Sequence, residues 1–143
     1  MAIATLSSVV PKRPSFEFSI KACIASLVTA LNQMLVELYK EVTVVQTVVP
    51  TTGQTIVCTD SDVNQHLYLT PAGTLAALTI TLPTNANSRV GQTVSITSSQ
   101  ILTSLTISGS GLTIANAPTT FAAINTAFCT LQKVASGQWR RIG

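Results

Sequence analysis

The chain has 143 residues, enough for one folded domain with an appendage but too few for two independent cores. Charged residues make up only 9% of it, against roughly 25% in ordinary soluble domains, while hydrophobic residues make up 46%, which is a usual share. Thr, Ser, Asn and Gln replace the missing charges, and such a neutral surface is removed from water at lower cost than one rich in Lys and Glu. The composition therefore favours a component of an oligomer or lattice over an enzyme.

Charge and cysteine usage exclude several classes of function. The net charge is +3, and the basic residues are neither concentrated in one segment nor interleaved with aromatic residues, so no nucleic-acid partner is predicted. Cys23, Cys58 and Cys129 are odd in number and widely spaced, which predicts free thiols rather than a disulfide framework or a zinc site. The basic residues near the start follow the first apolar stretch, opposite to a secretory signal, and polar residues interrupt the apolar segment 20–38. We expect a soluble protein made in a reducing cytoplasm, with no membrane partner.

Residues 1–14 are predicted to form an extended N-terminal arm. Pro11 and Pro14 prevent a helix from starting before the second proline. Lys12 and Arg13 are the candidate contact residues of this arm, which would become ordered against a partner. A disordered tail is the alternative.

Residues 15–41 are predicted to form a single long amphipathic helix, with Ser15 as its N-cap. We define its apolar stripe as the six residues that recur at spacings of 4, 3, 4, 3 and 4, namely Ile20, Ile24, Leu27, Leu31, Met34 and Leu38. When Ile24 is written as heptad position a, Val28 and Leu35 fall at e, so the apolar surface is wider than a two-stranded coiled coil requires. The pattern predicts a three-helix bundle or packing on a partner protein. The alternative is that the helix covers the chain's own β domain.

Residues 42–143 are predicted to form a β-sandwich domain. Short alternating runs of Val, Ile, Leu and Thr predict strands at 42–49, 54–59, 66–70, 75–82, 92–98, 102–108, 112–115, 119–125, 127–134 and 138–142. The predicted fold class is therefore mainly β, with one helix followed by an antiparallel sandwich or barrel of the jelly-roll type. The phrase Leu-Thr-Ile occurs at 78–80, 105–107 and 112–114, but its spacings of 27 and 7 are unequal, so no repeat architecture is predicted. Thr79, Thr106 and Thr113 are expected to line a charge-poor outer face.

The residues that could carry chemistry do not form a recognisable site. Segment 60–64, Asp-Ser-Asp-Val-Asn, begins like a calcium-binding loop, but Gln65 stands where a glycine is needed and Pro71 where a bidentate glutamate should be. His66 is the only histidine, and no second ligand or paired nucleophile is evident near it. We therefore predict no catalytic residue, no metal site, no cofactor and no enzymatic activity.

Four phrases in the β region resemble the wording of a known group of proteins. They are Leu78-Thr-Ile-Thr-Leu-Pro83, Val90-Gly-Gln-Thr-Val-Ser-Ile96, Leu105-Thr-Ile-Ser-Gly109 and Ala135-Ser-Gly-Gln-Trp-Arg140. They resemble the β domains of small tailed-bacteriophage virion proteins, which include capsid decoration, or cement, proteins and head or tail fibres. About half of the chain is covered. The resemblance implies a homotrimeric, non-enzymatic structural protein whose N-terminal segment engages the particle.

The expected function is that of a trimeric decoration protein on the capsid exterior, synthesised in the bacterial host cytoplasm. Its partners would be further copies of itself and the major capsid protein. The apolar stripe would carry the trimer or capsid contact, and the arm with Lys12 and Arg13 would lie against the shell. The alternative is a short head or tail fibre that recognises host surface glycans, for which only Tyr68, Trp139 and a few Phe residues are available to stack on a sugar.

Overall fold

A computed structural model of the chain describes the backbone of residues 16–122 and 127–143, and within the helix the side chains of residues 20–38. It contains one helix and nine strands: α1 (Phe16–Glu41), β1 (Thr43–Val48), β2 (Thr55–Val57), β3 (Asn64–Leu69), β4 (Leu78–Thr81), β5 (Thr93–Ser98), β6 (Leu105–Ser108), β7 (Thr113–Ala115), β8 (Phe128–Ala135) and β9 (Gln138–Arg141). The prediction of a mainly β fold with one N-terminal helix is confirmed. The chain divides into two compact units, Met1–Glu37 and Leu38–Gly143.

Helix α1 has 26 residues, so it is about 39 Å long at 1.5 Å per residue. It lies where the apolar spacing predicts a helix, and no glycine or proline interrupts it. The Thr29 hydroxyl donates to the Ala25 carbonyl one turn earlier, at 2.9 Å, which satisfies that hydroxyl within the helix itself. The predicted arm, with Lys12 and Arg13, lies outside the described residues, and so does Ser15, the predicted N-cap of the helix.

The strands form two sheets that are built by alternation along the chain. Six strands make the larger sheet, in the order β1-β3-β5-β8-β9-β7, and three make the smaller sheet, in the order β2-β4-β6. Each of the strands β1 to β4 pairs in parallel with the strand two positions further along, so consecutive strands from β1 to β6 lie in opposite sheets. This arrangement is a short β-solenoid of three stacked coils, each of which contributes one strand to each sheet.

The prediction of an antiparallel sandwich or jelly roll is therefore wrong. Five of the seven strand pairs are parallel, and only β5–β8 and β8–β9 are antiparallel. The error has a physical reason: a strand with one buried face alternates apolar and polar residues whether its neighbour is parallel or antiparallel. The turns before β6 carry the chain across to the opposite sheet, whereas an antiparallel pair would need turns that reverse the chain within one sheet.

The copies of Leu-Thr-Ile at 78–80 and 105–107 mark one coil of this solenoid, so the prediction of no repeat architecture is also wrong. Leu78 pairs with Leu105 and Ile80 with Ile107, 27 residues further on, which is one full coil of the smaller sheet. The other coils differ in length, since Thr43 pairs with Asn64 and Gln65 with Val94, offsets of 21 and 29 residues. Unequal turn lengths therefore hide the repeat in the sequence.

The C-terminal strands close one end of the larger sheet. β8 runs antiparallel to β5, and the turn at Ser136 and Gly137 reverses the chain into β9. Gly137 has a φ of 67°, a left-handed conformation that favours glycine. In the described part of the predicted strand 119–125, only Phe121 makes a bridge, antiparallel to Leu102.

One apolar core fills the space between the inner faces of the two sheets. It takes residues from the smaller sheet, such as Ile80, and from the larger sheet, such as Leu67 and Ile96, all with no measurable exposure. Trp139 lies in the same core and is 1% exposed. Alternate residues of both sheets are thereby fixed in the core, and the residues between them form two outer faces.

Candidate functional site

The apolar stripe of α1 is exposed along its whole described length. Side-chain exposure in the single chain ranges from 41% at Ile20 to 69% at Leu27. Val28 and Leu35 at the heptad e positions are 50% and 55% exposed. These residues share one side of the helix, since positions a, d and e are neighbours on a helical surface.

Such a surface is unusual for a protein that remains single in water. A helix of this length owes most of its stability to the packing of its apolar face rather than to intrinsic propensity. Contiguous exposed apolar surface of this extent marks an interaction site. The stripe is therefore the strongest candidate functional surface of the chain.

The same segment also has the dimensions of a membrane span. Ile20–Leu38, with a mean hydropathy of 1.3, is the one helix among the described residues that is long and apolar enough by length and composition alone. It carries Lys21, Asn32, Gln33 and Glu37, and polar side chains of these types are costly in the bilayer core. The predicted lack of a membrane partner stays a prediction.

The outer face of the smaller sheet carries a ladder of hydroxyl groups. Thr55, Thr79 and Thr106 lie side by side in register across β2, β4 and β6. In the next row Thr81 lies between Ser108 and the exposed Val57. Because neighbouring strands are about 4.8 Å apart, these hydroxyls form a regular, uncharged array. The expected grouping of Thr79 with Thr106 is present, but Thr113 lies in β7, at the edge of the larger sheet.

The outer face of the larger sheet carries two rows of side chains that run across four strands. The first, which we call the aromatic row, consists of Thr47, Tyr68, Thr97 and Phe128. The second, which we call the hydroxyl row, consists of Val45, His66, Ser95 and Thr130. Tyr68 is 41% exposed and Phe128 is 47% exposed. The other predicted stacking residue, Trp139, is in the core and cannot meet a ligand.

Asp60 links two turns instead of beginning a calcium loop. Its Oδ1 accepts from the Thr84 backbone N at 2.7 Å and the Thr84 hydroxyl at 2.9 Å, and its Oδ2 accepts from Asn87 Nδ2 at 2.7 Å. The Asn87 hydrogen bond, followed by those from Thr84, lowers the pKa of Asp60 below its ordinary value. Nearby, Arg89 Nε donates to the Asp62 carbonyl at 3.1 Å. Asp60, Asp62, Asn87 and Arg89 line a depression of about 500 Å³, in which the Asp60 carboxylate is already occupied by structural hydrogen bonds.

Two buried polar side chains donate hydrogen bonds to the turns near this depression. Lys133, 3% exposed, donates from Nζ to the Asn85 carbonyl at 3.0 Å and to the Ser88 carbonyl and hydroxyl at 2.8 and 2.9 Å. Gln92, with no measurable exposure, donates from Nε2 to the carbonyls of Ser61 and Val63 at 2.8 and 2.6 Å. Both side chains replace water as partners of turn carbonyls, so their role is structural.

The remaining reactive groups do not converge. His66 Nε2 lies 2.8 Å from the Thr97 hydroxyl, on the outer face. Burial raises the pKa of Cys58 to about 12 and that of Cys129 to about 11, which makes both thiols poor nucleophiles, whereas Cys23 is exposed on α1. Within residues 16–122 and 127–143, no group of three or more His, Cys, Asp or Glu side chains is placed to hold a metal ion.

Comparisons with protein-family models, with curated proteins and with solved structures gave no match for this chain.

Proposed function

We propose that this protein is a structural component of a tailed-bacteriophage particle, a homotrimeric decoration protein that binds the outside of the assembled capsid and stabilises the shell. The observation that carries the proposal is the exposed apolar stripe of α1. The sequence resemblance to small virion proteins supplies the kind of assembly.

The width of the apolar surface supports trimerisation. A two-stranded coiled coil buries positions a and d, whereas Val28 and Leu35 extend the surface to e. Three helices around one axis bury a wider strip on each helix than two do. The seam positions from 20 to 38 hold only Ile, Leu and Met, so no charge needs to be buried at them.

The character of the remaining surface supports capsid attachment. The hydroxyl ladder of Thr55, Thr79 and Thr106 is uncharged and is made of short side chains, which lose little conformational entropy on contact. The arm with Lys12 and Arg13 is the second proposed contact, lying against the shell. A trimer presents three linked copies of each contact, so weak individual contacts add up to firm attachment.

Stabilisation of the shell is then a matter of mass action. A protein that binds the assembled lattice but not its free subunits lowers the free energy of the lattice, by about 2.7 kcal/mol per site at a hundredfold excess over Kd. This role needs no catalytic group, no metal and no cofactor.

The test is co-sedimentation with capsids of the phage that carries the protein, purified without it. We expect the wild-type chain to sediment with expanded capsids and to raise the temperature at which they rupture. Leu31→Asp, which places a charge in the stripe, should lose both effects, while the neighbouring Asn32→Asp should keep them. A wild-type chain that stays in the supernatant at saturating concentration contradicts the proposal.

A further inference from the structure

The aromatic row and the hydroxyl row together form a surface that is used neither by trimerisation through α1 nor by capsid attachment through the arm and the hydroxyl ladder of the smaller sheet. They lie on the outer face of the larger sheet, across β1, β3, β5 and β8. Of the four aromatic residues in segment 42–143, Phe121 and Trp139 are 2% and 1% exposed and belong to the core. The other two, Tyr68 and Phe128, both lie in the aromatic row.

The spacing of the two rings is fixed by the sheet. Tyr68 pairs with Thr97, and Thr97 pairs with Phe128, so the two aromatic residues stand two strands apart in one straight row. With neighbouring strands about 4.8 Å apart, their Cα atoms are about 10 Å apart. The short Thr97 side chain between them leaves a shallow gap with a ring on each side.

The polar groups beside the rings are held in place by their neighbours. His66 Nε2 lies 2.8 Å from Thr97 Oγ1, and Ser95 Oγ lies 3.1 Å from Thr130 Oγ1. A hydroxyl can donate one hydrogen bond and accept two, so each of these groups keeps capacity for a ligand. Side chains that are already oriented lose less entropy when the ligand binds.

The charge of the surface selects among possible ligands. Neither row contains Asp, Glu, Lys or Arg, and five of the eight positions carry a hydroxyl group. A charged ligand would find no opposite charge here. A second protein copy would have to supply hydrogen-bond partners for all the hydroxyls that it buried, because each one left unsatisfied costs stability.

We propose that this face is a shallow binding site for neutral oligosaccharides. Because consecutive sugar rings lie closer together than Tyr68 and Phe128, the first and third units of a trisaccharide would stack their apolar faces on these two rings. The oligosaccharide would exchange hydrogen bonds with Thr97, Ser95 and Thr130. The particle would thereby gain weak adhesion to bacterial surface polysaccharide, multiplied by the number of copies on the particle. This inference goes beyond the decoration role and uses a different part of the chain.

The test is binding of the purified full-length protein to an array of neutral and carboxylated oligosaccharides, followed by saturation-transfer NMR with a neutral hit. Tyr68→Ala and Phe128→Ala should each weaken binding about tenfold, the order of magnitude expected when one stacking contact is lost. Val134→Ala is the matched control, because Val134 is also an exposed apolar residue of β8, 43% exposed, but lies six residues from Phe128. Its binding should equal that of the wild type.

Three results would overturn the inference. The first is no retention of any neutral oligosaccharide on the array. The second is binding that Val134→Ala weakens and the aromatic variants do not, which would place the ligand in the depression of about 380 Å³ around Val134 and Arg140. The third is a lower oligomeric mass for Phe128→Ala, which would make the face a subunit interface. Capsid binding without sugar binding would refute this inference and leave the proposed decoration role intact. The two are separable because capsid binding is tested with the α1 variants and sugar binding with the Tyr68 and Phe128 variants.

Discussion

Replacing Leu31 with aspartate tests the role of the apolar stripe at its centre. Leu31 is a heptad a residue and is 54% exposed in the single chain. In a parallel three-helix bundle the three copies of this side chain meet on the axis. The substitution removes apolar surface from the seam and brings three carboxylates close together.

The size of the effect follows from the exposure. Full burial of a leucine side chain contributes roughly 1.5–3 kcal/mol, and the bundle would bury the half of Leu31 that is exposed in the single chain. Removing this side chain from three helices therefore costs about 3 kcal/mol of association free energy. Like charges without partners in the seam cost on the order of 3 kcal/mol more. Together these losses weaken trimerisation by roughly four orders of magnitude, since each 1.4 kcal/mol is a factor of ten.

The assay is multi-angle light scattering at micromolar concentration, with far-UV circular dichroism on the same samples. Leu31→Asp should be monomeric and should lose helix signal, because a single amphipathic helix without packing is marginal in water. Asn32→Asp adds the same charge at heptad position b, outside the seam, and should keep both the mass and the helix signal. An unchanged mass for Leu31→Asp would refute the assignment of the stripe to trimer contacts.

Three further predictions concern the β domain and the thiols. Lys133→Met keeps the length of the side chain but removes three hydrogen bonds from the turn beside it, so the free energy of unfolding in urea should fall by about 2–4 kcal/mol, and an unchanged midpoint would contradict the structural role. Because the pKa of Asp60 is lower in the folded state, this carboxylate stabilises the fold above its unfolded pKa of about 3.9, and the stabilisation is lost as the pH falls through the folded pKa. Asp60→Ala should therefore lower the urea midpoint at pH 7, and the midpoint of the variant should fall less than that of the wild type between pH 7 and pH 3. Parallel wild-type and variant curves would show that the carboxylate is not stabilising. With a chromogenic disulfide reagent at pH 8, Cys23 should react in the native protein and the two buried thiols only on unfolding, so rapid reaction of all three thiols would contradict the described core.

The sequence predicts the elements of this fold better than their arrangement. The helix follows from the spacing of Ile24, Leu27 and Leu31, which only a helical period explains. Nine of the ten predicted strands overlap observed ones, because alternation and turn residues are local signals. Strand direction is not local, since Thr79 faces outward whether β4 pairs with a parallel or an antiparallel neighbour.

The partners of individual polar residues could not be predicted for a similar reason. Asp60 meets Thr84 and Asn87 across 24 and 27 residues, a distance set by the length of one coil. Lys133 is an ordinary surface residue by type, and its burial depends on a turn 45 residues earlier. The recurrence of Leu-Thr-Ile after 27 residues is the signal of the coils in the sequence. The third copy of the phrase, at 112–114, obscures this signal because it gives a second, unequal spacing.

The mass of the wild-type 143-residue chain in solution, measured by multi-angle light scattering at about 10 μM, shows whether self-association buries the apolar stripe. An apolar stripe that is buried by self-association predicts a particle of about 45 kDa, three times the chain mass of 15.0 kDa. A stable, soluble particle of 15.0 kDa at that concentration would contradict the account, because the stripe would then remain exposed to water.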